Sequence, residues 1–119
     1  MHEATKSFKE LIVWQKAHAL VLDIYKLTES FPKHELFGLT SQIRRSAVSI
    51  AANIAEGYKK KSNLDKARFF NSSHGSLEET HYYLILAQDL GYENTELLQT
   101  QITEIGKMLN AYSKALNKH

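Results

Sequence analysis

Apolar residues recur along this chain at intervals of three and four, the spacing that places them on one face of an α-helix. The first stripe runs through Val13, Ala17, Leu20, Ile24 and Leu27, with Lys16, Asp23 and Lys26 elsewhere on the cylinder. It predicts a helix over about 11–30. Ser30-Phe31-Pro32 ends it, because proline has no amide hydrogen and its ring disfavours a helical conformation in the residue before it. A second stripe through Leu39, Ile43, Ala47, Ile50, Ile54 and Tyr58 predicts a helix over about 39–58. Gly57 is expected to turn the chain there, ahead of the polar run Lys59-Lys60-Lys61-Ser62-Asn63.

A third helix is predicted over about 63–90, capped by Ser62 or Asn63, with Phe70, Leu77, Leu84 and Ala87 facing inward and Leu90-Gly91-Tyr92 as its end. Gly75 falls inside it; a mid-helix glycine costs about 1 kcal/mol relative to alanine, so a close-packing point or a local bend is expected there. The fourth, over about 94–117, carries Leu98, Ile102, Ile105, Leu109, Tyr112 and Leu116. Four such stripes, short connections between the last three and no strand-like alternation predict an all-α fold, an antiparallel up-down-up-down four-helix bundle. One domain over residues 1–119 is expected, fraying at about Met1 to Phe8 and Asn117 to His119.

Composition changes this picture little. At 119 residues with 43% hydrophobic and 24% charged side chains, the chain can bury one core without staples. The absence of cysteine removes disulfides, thiolate zinc sites and cysteine nucleophiles. MHEATKSFKE has an early acid and no apolar signal core, and the run Tyr82 to Ala87 is far too short to span a bilayer. A cytoplasmic protein that does not enter the membrane is expected.

Candidate chemistry is sparse. Glu78-x-x-His81, with His74 one turn earlier, matches half of a bundle di-metal site, but no second such motif occurs to complete one. His74 and His81 then hydrogen-bond at a helix interface or face solvent, and His2, His18, His34 and His119 are scattered. No nucleophile elbow, Walker loop or dinucleotide fingerprint is present. The residues predict no enzyme, no cofactor and no metal.

The second helix says more. Ser46, Ala47, Ser49, Ala51, Ala52 and Ala55 give it small residues on nearly every side. Either it packs tightly at the centre of its own bundle, or Val48, Ala51 and Ala55 meet a neighbouring subunit. Arg45, Ser49, Asn53 and Glu56 form a polar strip flanked by Arg44. Arg45 either pairs with Glu78 or Glu79 of the third helix, tying two helices or two subunits together, or joins Arg44, Lys59, Lys60, Lys61, Lys66 and Arg68 in a phosphate-facing surface. Between Lys59 and Arg68 five residues are basic and one is acidic. The net charge of only +2 makes that clustering, rather than overall charge, the argument for nucleic acid.

Several strings resemble a known family: Val13-Trp14-Gln15-Lys16-Ala17, then Phe37 to Ile50 (FGLTSQIRRSAVSI), Asn53-Ile54-Ala55-Glu56-Gly57 and Leu90-Gly91-Tyr92. The chain resembles the four-helix-bundle proteins encoded in intervening sequences of bacterial 23S rRNA genes, and the match spans Phe8 to about Leu116. Relatives include the accessory variability determinants of diversity-generating retroelements, pentameric barrels with a basic nucleic-acid-binding surface. The resemblance implies a homopentamer and makes Arg44, Arg45, Ser49, Asn53, Glu56 and Gly57 signature positions, with Gly75 and Ser76 as a small-residue site. The function expected is a non-enzymatic oligomeric module binding RNA or DNA. A structural module docking another protein, and a metal-dependent bundle enzyme, are the alternatives.

Overall fold

The computed structural model describes residues 6–117. Its helices are α1 (Ile12–Thr28), α2 (Leu39–Lys59), α3 (Asn63–Asp89) and α4 (Glu96–Asn117). Each packs on its sequence neighbours and α1 also packs on α4, while the backbones of the diagonal pairs stay apart. That is the up-down-up-down arrangement the connections require. The Cα envelope is a rod of 49 × 23 × 21 Å.

The predicted stripes meet at its axis. Val13, Ala17, Leu20 and Ile24 of α1, Ile43, Ala47, Ile50 and Ile54 of α2, Phe70, Leu77, Leu84 and Ala87 of α3, and Leu98, Ile102, Ile105 and Leu109 of α4 are all buried. Leu27, Tyr112 and Leu116 lie at its edge, partly buried.

Local chemistry sets the ends. The expected fraying reaches too far at the start, because Ser7 Oγ accepts the Lys9 amide at 3.1 Å and begins a 3-10 turn, Phe8–Glu10. Phe8 there meets the Trp14 ring edge-on. Met1 to Thr5, Lys118 and His119, and so His2 among the scattered histidines, lie outside the described residues. Ser62, not Asn63, caps α3, its Oγ accepting from the Asp65 amide at 3.1 Å. Gly91, at φ +78, closes α3 as expected, since the Tyr92 amide reaches back to the Ala87 carbonyl at 2.9 Å.

Two glycine expectations are reversed. Gly57 does not turn the chain; it lies inside α2, where a Cβ would stand 2.9 Å from Phe69 Cβ and 3.0 Å from the Phe70 ring. Gly57 is therefore the close-packing point. Gly75 has no heavy atom within 4 Å of where its Cβ would be and does not pack within the bundle.

The small residues of α2 face α3 first. Ser46 Oγ and Thr80 Oγ1 are 2.7 Å apart, Ser76 donates to Ser49 Oγ at 2.8 Å, and Ser73 donates to the Ile50 carbonyl at 2.8 Å. Short hydroxyls let the two backbones approach while satisfying one another's polar atoms. Ala51 is buried in its own bundle, where it takes the central packing position that was the alternative to a subunit contact. Ala55 is half-buried and Val48 is exposed.

Candidate nucleic-acid interface

The seven basic residues singled out in the sequence do not form one surface. Arg44 and Arg45 precede Lys59 by fourteen or more residues of one helix, about 20 Å at ~1.5 Å per residue. Arg44 is also occupied. Its Nε donates to Thr28 Oγ1 at 2.8 Å, its Nη2 to the Tyr25 carbonyl at 3.3 Å, and its guanidinium stacks 4.7 Å from the Tyr25 ring centroid. It ties α1 to α2.

Arg45 is exposed and lines a groove of about 290 Å³ with Gln42, Ser46, Ser49, Ser76 and Glu79. Within one chain, among the described residues, Arg45 does not pair with Glu78 or Glu79. Glu79 accepts the Tyr83 hydroxyl at 2.9 Å, which raises the phenol's pKa, and Glu78 lies 4.0 Å from His74 Nε2. The polar strip is internally bonded instead, Asn53 Nδ2 donating to the Ser49 carbonyl at 2.8 Å and to Ser49 Oγ at 3.0 Å. Glu56 is exposed.

The second group closes the far end of α2. Lys59 is its last residue, Lys60 its C-cap, and Lys61 stands exposed in the turn. Cations there complement the partial negative charge of a helix C-terminus. Lys66 Nζ donates to the Tyr58 carbonyl at 2.6 Å, in the last turn of the helix, where carbonyls take side-chain donors. Lys60 lies over the Phe69 ring, and Arg68 makes a long 3.9 Å contact with Asp65. Among the described residues no side-chain bond holds Lys59 or Lys61.

The bundle adds basic residues that sequence reading missed. Because neighbouring helices run antiparallel, the α2–α3 turn shares its end of the rod with the start of α1 and the end of α4; Asn63 Nδ2 reaches the Leu116 carbonyl at 3.5 Å. The half-rod built from residues 6–19, 50–75 and 107–117 holds ten basic and three acidic side chains. The opposite half, from residues 20–49 and 76–106, holds four basic and nine acidic. A chain of net charge +2 folds into a rod with one basic and one acidic end. Lys6, Lys9 and Lys114 add to the basic end, and Lys16 and Lys107 lie nearer the middle of the rod, Lys16 paired with Glu104 across the boundary at 2.6 Å; nothing in the linear sequence marks them.

Among the described residues no three histidine, aspartate or glutamate side chains gather where they could hold a metal. His74 and Glu78 face a groove with His81, Lys107 and Asn110, so the half-motif finds a lysine and an amide where further carboxylates would be needed. No helix among the described residues is long and apolar enough to cross a membrane.

Fold and surface together define a small four-helix-bundle protein, polarised in charge along its axis. The chain belongs to the family of 23S rRNA-intervening sequence proteins, which it matches over residues 9–111. It is similar to the crystal structure of a protein of unknown function of the S23 ribosomal protein family from Bacteroides thetaiotaomicron. The two share 29% identity with a TM-score of 0.78, over 87% of this chain and 99% of that one. No curated protein matches the chain.

Proposed function

We propose that this protein is a cytoplasmic, non-enzymatic, homo-oligomeric module, a pentamer, that binds RNA through the basic ends of its bundles. The observation that carries the reading is the charge separation, ten basic to three acidic side chains on one half-rod. Exposed lysines on several segments that share one end suit phosphate contact, which needs positive charge more than fixed geometry. Five copies aligned in a ring would multiply a weak single-bundle contact by raising effective concentration.

The test is binding of a structured RNA and a DNA duplex by wild type and by Lys59→Gln/Lys60→Gln/Lys61→Gln over a salt series. The triple variant should bind more weakly, with its log–log salt slope shallower by about 2–3 for three lost phosphate contacts at ~0.7–0.9 each. Unchanged affinity at low salt would sink the reading and leave a module that docks another protein. Tighter binding of the duplex would move the target from RNA to DNA.

A further inference from the structure

The exposed apolar surface is unevenly placed. Phe37 is 91% exposed at the turn before α2. With Tyr25, Leu36, Val48, Arg44 and Arg45 it lines a shallow groove of about 550 Å³ between α1 and α2. A phenylalanine left in water beside two guanidinium groups is an unusual surface for a lone bundle. On α3, Glu78, Tyr82, Ile85 and Asp89 follow one another at three and four residues and so form one stripe. Tyr82 is 58% and Ile85 39% exposed, and the carboxylates flank them. α3 thus has an apolar face its own bundle does not cover.

The two surfaces match in charge and in height. The Ser46–Thr80 and Ser49–Ser76 contacts fix the register of α2 against α3. Counting back from them, Val48 to Phe37 occupy the same level along the rod as Glu78 to Asp89. A rotation about an axis parallel to the rod therefore carries the stripe of one copy to the groove of the next without sliding. We infer that the α1–α2 groove receives the α3 stripe of a second copy of this chain, a heterologous contact in which Tyr82 and Ile85 cover Phe37 and Val48 while Arg45 meets Glu78. A contact between two different faces repeats from copy to copy and makes a ring where its rotation closes, whereas a self-complementary one stops at a dimer. The inference rests on the oligomeric reading above and specifies its interface. In such a ring all basic ends share one rim.

The chain has no cysteine, so single thiols report the contact. Val48→Cys and Tyr82→Cys chains are expressed separately and together, then treated with a short bifunctional thiol reagent, with wild-type mass measured by light scattering. The expected result is a linked dimer only on co-expression, with neither chain linking alone. Linkage of Val48→Cys to itself would overturn the heterologous contact in favour of a two-fold dimer, and an oligomer with no linkage in any mixture would overturn the interface alone. A monomeric wild type would overturn both this contact and the oligomeric reading, whereas linkage with no RNA binding would leave the contact standing and remove only the RNA. Arg45→Glu and Glu78→Arg should each lower the oligomer mass at low salt, and their combination in one chain should restore it. Circular dichroism confirms that these surface variants fold; another protein, if it occupied the groove, would leave the purified mass unchanged by either reversal.

Discussion

Glu35 joins the two loops at the acidic end of the rod. Its Oε1 accepts the Leu39 amide at 3.1 Å, at the start of α2, and its Oε2 accepts the Tyr92 hydroxyl at 2.8 Å. Those two bonds hold its carboxyl below its ordinary value of 4.5, the Leu39 amide contributing most. A carboxyl lowered in the folded state stabilises the protein above its unfolded pKa, and that contribution fades as pH falls through the folded pKa. Tyr92 shows the opposite sign. Its phenol is raised by the bond to Glu35, so its contribution is complete below its unfolded pKa and fades as pH rises through the folded one. Tyr92→Phe should therefore lower Tm at neutral pH, with the two melting curves converging as Glu35 protonates in acid. A Tm difference that persists unchanged into acid would refute the linkage. Gly57 and Gly75 make a second contrast at this scale. Gly57→Ala must push against Phe69 and Phe70 and should cost about 1–3 kcal/mol in chemical denaturation. Gly75→Ala meets nothing and should gain up to about 1 kcal/mol.

At the scale of elements, α2 serves two neighbours and its basic end serves two purposes. Lys66 is bound to the Tyr58 carbonyl, so Lys66→Gln should lower stability by about 1 kcal/mol and change RNA affinity little. Lys61→Gln, in the exposed turn, should do the reverse. Denaturation and binding measured on the same two proteins would separate structural from functional lysines. Identical effects in both assays would show that the cap and the surface are not distinct. Periodicity disclosed each helix and its inward stripe, because burial on one face of a cylinder imposes a three-and-four spacing that survives in the linear sequence. The same spacing did not distinguish Ala51, buried, from Ala52, exposed. Both are small and apolar, and only the positions of α1 and α3 decide which of them meets water.

Across the whole molecule the decisive property is the separation of charge. Lys9 and Lys114 lie far from the lysine run in sequence, yet antiparallel packing puts them in the same half of the rod. Lys9→Gln/Lys114→Gln should weaken RNA binding and flatten its salt slope by about 1.4–1.8, on the same ~0.7–0.9 per contact. Arg44→Gln, held in α1–α2 contacts in the other half, should leave the slope unchanged while lowering stability. Equal slopes for all three proteins would detach binding from the basic end.

The sequence by itself determined the four helices, the inward stripe of each, the glycine that ends α3 and the family. Each is written in local spacing or in contiguous strings, so near neighbours in the chain carry the information. Only the tertiary structure decided that Arg44 is a structural tie, that Gly57 packs while Gly75 stands open, and that lysines from three segments gather against an acidic far end. Those outcomes depend on which residues distant in sequence share a height and a side of the rod, and that is fixed when four antiparallel cylinders bury their stripes against one another.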